Sequence, residues 1–270
     1  MRVVVKLAGL LVVTLLLGCN ASNVRDDDQT GDVGKARSVK ESPAQIYTSL
    51  AIGYMREGRM DVALRKAKQA VNADPNHSNA HNVMALVYQR LGQNQLAEKH
   101  FRRSVSLDKR NFYALNAYGT FLCGRKRYAD ASVQFENAVQ NPLNRNSEIA
   151  LANAGICAYQ EGKRTQAESY LRKALSKNPR YAPALSQMGE VSYDLRDYMS
   201  ARAYMQRYTR VAKHTSKTLW LGIRIENKLG DRNAEASYRM LLKNRFPDSK
   251  EILLLREMDQ RQWQSTTTLN

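Results

Sequence analysis

The sequence is short of nearly everything that chemistry requires. It carries four histidines and three cysteines in 270 residues. There is no glycine-rich phosphate loop, no Gly-x-Ser-x-Gly elbow and no pair of carboxylates with a supporting base. His77 and His81 stand four apart, a spacing that can place two ligands on one helix face, but His77 falls in a turn and no acidic or cysteine ligand joins them. His100 and His214 stand alone in the sequence. These absences exclude the usual routes to catalysis, and the expectation is a chain with no cofactor, no metal and no enzymatic activity. Acidic residues are also few, at 25 against 42 lysines and arginines, which leaves a net charge of +17.

A long apolar run is missing too. Leu7 to Leu17, after the positive Arg2 and Lys6, is too short to cross a bilayer about 30 Å thick as a helix. It reads instead as the apolar part of a signal peptide, residues 1–18. It ends in Leu16-Leu17-Gly18-Cys19, which resembles a bacterial lipobox. The resemblance implies removal of the signal, a diacylglycerol thioether on Cys19 and a further amide-linked chain, enough for stable membrane attachment. Asn20 in the next position, where Asp would retain the protein in the inner membrane, implies the outer membrane, facing the periplasm. Residues 19–43 carry Asp26-Asp27-Asp28 and few large apolar side chains, so they read as the lipidated cysteine and a flexible tether.

What the chain has in quantity is a repeat of about 34 residues. Tyr47, Leu50, Tyr54, Ala63, Ala70 and Pro75 return as His81, Met84, Tyr88, Ala97, Ser104 and their neighbours Ala85 and Phe101. Leu115, Tyr118, Gly119, Leu122, Ala131, Phe135 and Ala138 follow, then Leu151, Gly155, Ala167, Leu171, Ala174 and Pro179, then Leu185, Met188, Gly189, Ala201 and Met205. Small residues at the Ala and Gly positions let two helices approach, and the large ones fill the space between neighbouring hairpins. The pattern resembles the tetratricopeptide repeat (TPR). It predicts an all-α superhelix of six hairpins at 44–77, 78–111, 112–145, 148–181, 182–215 and 216–249, with a two-residue insertion at Asn146 and Ser147. The sixth is degenerate, with Trp220, Ala236, Met240 and Pro247 fitting loosely. Gly58, Gly92, Gly124 and Gly162 mark turns that need residues tolerant of positive φ. Ile252, Leu255, Met258 and Gln262 form one stripe of a capping helix over 250–263, followed by a frayed tail at 264–270 and arguing for a monomer.

Cys123 and Cys157 fall on the first helices of adjacent repeats at different offsets. Different offsets predict side chains that point different ways, and so two buried small hydrophobes rather than a bridge. The basic excess looks dispersed, with short clusters such as Arg102-Arg103 and Arg125-Lys126-Arg127. Loss of Arg2 and Lys6 with the signal lowers +17 to +15. Nucleic acid is one partner for so basic a chain, but the lipobox directs the mature chain away from it. An anionic membrane surface, peptidoglycan or an acidic protein segment fits better, and a merely solvated surface fits as well.

A lipobox, a tether and six TPRs together resemble the outer-membrane pilotins of type IV pilus biogenesis (PilF/PilW type). Asn116-Ala117-Tyr118-Gly119-Thr120-Phe121-Leu122 with Lys126-Arg127-Tyr128 resembles that family's third repeat. Leu219-Trp220-Leu221-Gly222-Ile223-Arg224 with Asp231-Arg232 and Ala236-Ser237-Tyr238 resembles its sixth. The resemblance implies binding of the secretin subunit, its delivery to the outer membrane and its assembly into the multimeric pore. A scaffold for cell-wall enzymes or outer-membrane assembly is the alternative. In a TPR superhelix the first helices line the concave face. Their free offsets here are Thr48, Ile52 and Met55, then Asn79, Asn82, Leu86 and Gln89, then Tyr113, Asn116 and Thr120. Amides can pair with a peptide backbone while Ile52, Met55 and Leu86 take its side chains. Ile52 and Leu86 serve the core equally well, and asparagines on one face are ordinary for a solvated surface.

Overall fold

The structure, a computed structural model, describes residues 41–267; of residues 262, 263 and 265–267 it describes the backbone alone. The signal segment, Cys19 and the tether up to residue 40 lie outside the described residues. Among those described there are thirteen helices and no strand. They form six antiparallel hairpins: α1 (Pro43–Arg56) with α2 (Met60–Ala73), α3 (Ser78–Arg90) with α4 (Asn94–Leu107), α5 (Phe112–Gly124) with α6 (Tyr128–Gln140), α7 (Ser147–Gln160) with α8 (Arg164–Lys177), α9 (Ala182–Asp194) with α10 (Tyr198–Thr209), and α11 (Ser216–Leu229) with α12 (Arg232–Arg245). A last helix, α13, runs from Lys250 to Thr267, so the Ser/Thr-rich residues expected to fray continue the helix. None of the described helices is long and apolar enough to cross a membrane.

Side chains close to the backbone start these helices. Ser42 accepts from the Gln45 amide while Gln45 reaches back to the Ser42 amide, a capping box that opens α1. The His77, Asn111 and Asp231 side chains accept the amides of Ala80, Ala114 and Ala234 in the same way. Gly58, Gly92 and Gly162 turn three hairpins with positive φ. The third departs from expectation. Gly124 closes α5 without a positive φ, and Lys126 takes the left-handed position at φ 59, as Arg196 does at φ 64 in the fifth. Each costs about 1 kcal/mol that a glycine there would avoid.

One spacing holds four of the six hairpins shut. Gly119, Gly155, Gly189 and Gly222 face Phe135, Leu171, Met205 and Tyr238, each sixteen residues on. A Cβ on Gly155 would stand 2.7 Å from Leu171 Cγ, and one on Gly119 would stand 2.8 Å from the Phe135 ring. The glycine is thus a notch that receives the large side chain of its partner helix. The same spacing shows why the sixth repeat read as degenerate. Tyr238, not Met240, is its large residue, and Met240 is 58 % exposed.

Hairpins stack so that each first helix packs closely on the next first helix, whereas successive second helices stand farther apart and meet through long side chains such as Tyr170 on α8, whose hydroxyl donates to Glu136 on α6 at 3.1 Å. Crowding on one side and splaying on the other curves the array, with first helices inside. Ser78 and Ser104 exchange hydrogen bonds inside the second hairpin, and polar seams cross the joints: Asn111 reaches Ser78 and Asn79, and Arg127, Arg164 and Arg224 pair with Glu98, Asp194 and Glu190 of neighbouring hairpins. α13 packs on α11 and α12, burying Ile252 and Leu255 against Leu219, Ile223 and Leu242 with Trp220 alongside.

Cys123 and Cys157 overturn their sequence reading: they form a disulfide, with Cα atoms 5.8 Å apart, and it joins α5 to α7. Unequal offsets favour the bridge rather than oppose it. Adjacent first helices are related by translation, so the side of α5 that faces α7 is opposite to the side of α7 that faces α5. Residues that meet there must have unequal offsets. A difference of two residues turns the side chain about 200° round a helix, which aims the two thiols at each other.

The charge is also less dispersed than it reads. The six first helices hold five bases and four acids, whereas the six second helices hold sixteen bases and six acids. The basic excess therefore lies on the outer side of the curve.

Candidate functional site

The concave side of the first three hairpins contains a trough of about 520 Å³ lined by Met55, Leu86, Gln89, Arg90, Ala117 and Thr120. It draws on the end of α1, the C-terminal half of α3 and the middle of α5. In α3 the residues Asn82, Leu86 and Gln89 succeed one another by four and three, which puts them on one face. Arg90, at the end of the same helix, donates from Nη1 to the Met55 carbonyl at 2.8 Å and so closes the last turn of α1. Arg90 and Ala117 were not anticipated. The legible signal for Arg90 was a cation in the last turn of a first helix, one repeat after Arg56.

The other anticipated residues are placed less uniformly. Thr48 is buried and its hydroxyl donates to the Ala44 carbonyl at 2.7 Å, so it faces its own helix rather than a ligand. Ile52 is half-buried against the α1–α3 core, and Met55 is also largely taken up by that core. Asn79 is exposed and accepts from Asn111. Tyr113, 59 % exposed, and Asn116 lie on a smaller crevice with Phe112 and Asn144. The structure thus brings Met55, Leu86, Gln89 and Thr120 together and leaves Thr48, Asn79 and Tyr113 outside the trough.

Amides run along the first helices. Asn153 on α7 donates to Asn116 Oδ1 on α5 at 2.9 Å. Asn82 is buried, and its Oδ1 has no partner among the described residues. A buried acceptor without a donor is costly. Gln187 on α9 buries an Nε2 with no acceptor. Both atoms are shut off from the surface, and neither residue lines the trough.

Histidine chemistry sits on the other side of the second hairpin. His100, expected to stand alone, meets His81 with Nδ1 atoms 2.9 Å apart, and His81 Nε2 lies 3.0 Å from the Pro75 carbonyl. A carbonyl only accepts, so His81 carries its proton on Nε2 and its bare Nδ1 accepts from His100. Burial, then the neighbouring His81, pushes the His100 pKa down to about 4. His81 is lowered as well, chiefly by burial. The pair is neutral at physiological pH. No group of three or more potential metal ligands occurs among the described residues.

A tetratricopeptide-repeat profile matches residues 78–111, and a second one matches residues 150–214. The type IV pilus assembly protein PilF of Pseudomonas aeruginosa is 31 % identical over 89 % of this chain and 94 % of its own. The chain belongs to the PilF/PilW family of type IV pilus biogenesis factors. The solved structure of P. aeruginosa PilF covers 80 % of this chain and 97 % of its own with a TM-score of 0.72 at 30 % identity. That of PilW, described as a widely conserved type IV pilus biogenesis factor, covers 80 % and 99 % with 0.73 at 31 %. The PilF/PilW fold is therefore the fold of this chain: a TPR solenoid, an adaptor architecture whose work is protein–protein interaction.

Proposed function

We propose that this chain is a lipid-anchored outer-membrane pilotin. It binds the secretin subunit of the type IV pilus, carries it to the outer membrane and promotes its assembly into multimers. The observation that carries the reading is the relationship to PilF over nearly the full length of both chains. The lipobox at Cys19 supports the anchor. The trough at Met55, Leu86, Gln89 and Thr120 supports a bound polypeptide, with apolar side chains entering it and the main chain meeting the Gln89 amide.

Leu86→Asp places a charge in the trough, and secretin multimers should be lost. Leu86 is partly buried against two core clusters, so Thr120→Arg, at an exposed residue of the same trough, accompanies it. Circular dichroism establishes that both remain folded. Normal multimer levels in the folded variants overturn the placement of the partner. Recovery of cell-wall enzymes instead of secretin from solubilised envelopes overturns the function. Cys19→Ser should leave secretin outside the outer membrane and abolish twitching.

A further inference from the structure

The basic excess has a location that pilotin function does not use. All second helices run parallel, so their C-terminal ends share one edge of the solenoid. On α8, α10 and α12 that edge carries Lys173, Lys177, Arg210, Lys213, Lys243 and Arg245, counting the turn after α10, and all six are exposed. None of them has a carboxylate within 4 Å among the described residues. The acids of these helices are occupied elsewhere: Glu168 holds Arg172, Glu235 holds Arg239, and Asp197 caps its own helix. Arg202 is held by Glu226 and Asp231. Exposed apolar side chains accompany the bases: Met240, three residues before Lys243 on α12, and Leu253 at the start of α13, at 58 % and 56 % exposure.

We propose that this outer surface, α8, α10 and α12 with α13, lies against a bilayer and binds the headgroups of anionic phospholipids. The inference rests on the reading that a lipid on Cys19 keeps the solenoid beside a membrane. Three features favour lipid over an acidic protein or peptidoglycan. The bases are spread over three parallel helices rather than converging on a pocket, and mobile headgroups can match such an array where a fixed ligand cannot. Long side chains with cationic tips beside the exposed Met240 and Leu253 suit an interface that is charged outside and apolar just beneath. The surface is on the outside of the curve, so occupying it leaves the concave trough free.

The test uses the mature chain with Cys19→Ser, so that no acyl chain contributes. It is floated with vesicles of phosphatidylethanolamine containing about a third phosphatidylglycerol, and with phosphatidylcholine vesicles. Each base near an anionic surface contributes about fivefold in partitioning. Flotation is expected with the anionic vesicles alone, and raising the salt severalfold should release the chain by shortening the screening length. Lys173→Glu, Lys177→Glu and Lys243→Glu together should weaken binding at least tenfold. Arg65→Glu with Lys68→Glu, on α2 at the other end, should change it by less than twofold. No flotation with anionic vesicles, equal losses in the two variants, or capture by purified peptidoglycan without vesicle binding would each overturn the proposal. Acyl labelling of Cys19 in the native chain reads the anchor separately, so the two ideas fail independently.

Discussion

At the scale of single residues, the fold rests on notches. A methyl on Gly155 would press on Leu171 Cγ and on the Ala167 carbonyl oxygen, 3.2 Å away. Neither is the free end of a flexible chain, so the helices must part. Gly155→Ala should lower unfolding stability by about 1–3 kcal/mol, read as a drop in the denaturation midpoint. Equal stability would mean that the helices are not held so close. His100 gives a pH prediction. Its folded pKa, about 4, lies below the usual value of 6.5, so the unfolded chain takes up protons more readily between the two. Stability from this site is complete above about pH 6.5 and falls as pH drops toward 4. The loss should be about 1–2 kcal/mol once solvent screening is allowed for. His100→Gln should flatten that part of the pH profile in thermal melts. The glycine positions were legible because Gly119, Gly155 and Gly189 recur with their partners. The histidine pair was not, because nineteen residues separate its members and only the α3–α4 hairpin brings them together.

At the scale of elements, the helices could be read from periodicity, but their environment could not. α13 illustrates both. Its apolar stripe was visible in Ile252, Leu255 and Met258, whereas its extension to Thr267 was not, because serine and threonine are weak helix formers. Leu255 is 1 % exposed where α13 covers the last hairpin. Leu255→Ala should cost about 2–5 kcal/mol and loosen α11 and α12 first, seen as faster amide hydrogen exchange there than in α1–α4. Uniform loss of protection along the chain would mean the solenoid unfolds as one body. The trough was legible only in part for a similar reason. Offsets in one helix give a face, but they do not tell whether the next hairpin covers it. α3 covers Met55 in this way, and Thr48 turns to its own backbone.

At the scale of the molecule, the array has one covalent joint. The Cys123–Cys157 bond closes a loop at the middle of the stack, between the third and fourth hairpins. Cys123→Ser should cost about 3–4 kcal/mol by releasing that loop in the unfolded chain, measured by denaturation with and without reductant. No reductant effect on the parent chain would show that the thiols are free. An oxidising compartment such as the periplasm permits the bond, which accords with the exported location proposed for the chain. Sequence spacing concealed it because offsets were compared as though the two helices were superposed rather than set side by side.

That joint also changes how the molecule would bear load. Drawn apart by its two ends, the chain is loaded along its whole length. A stack whose repeats touch only their neighbours gives way one hairpin after another. The cross-link withholds the stretch it encloses, so a fully drawn-out oxidised chain should be about 110 Å shorter than a reduced one. The centre of this protein is a rip-stop.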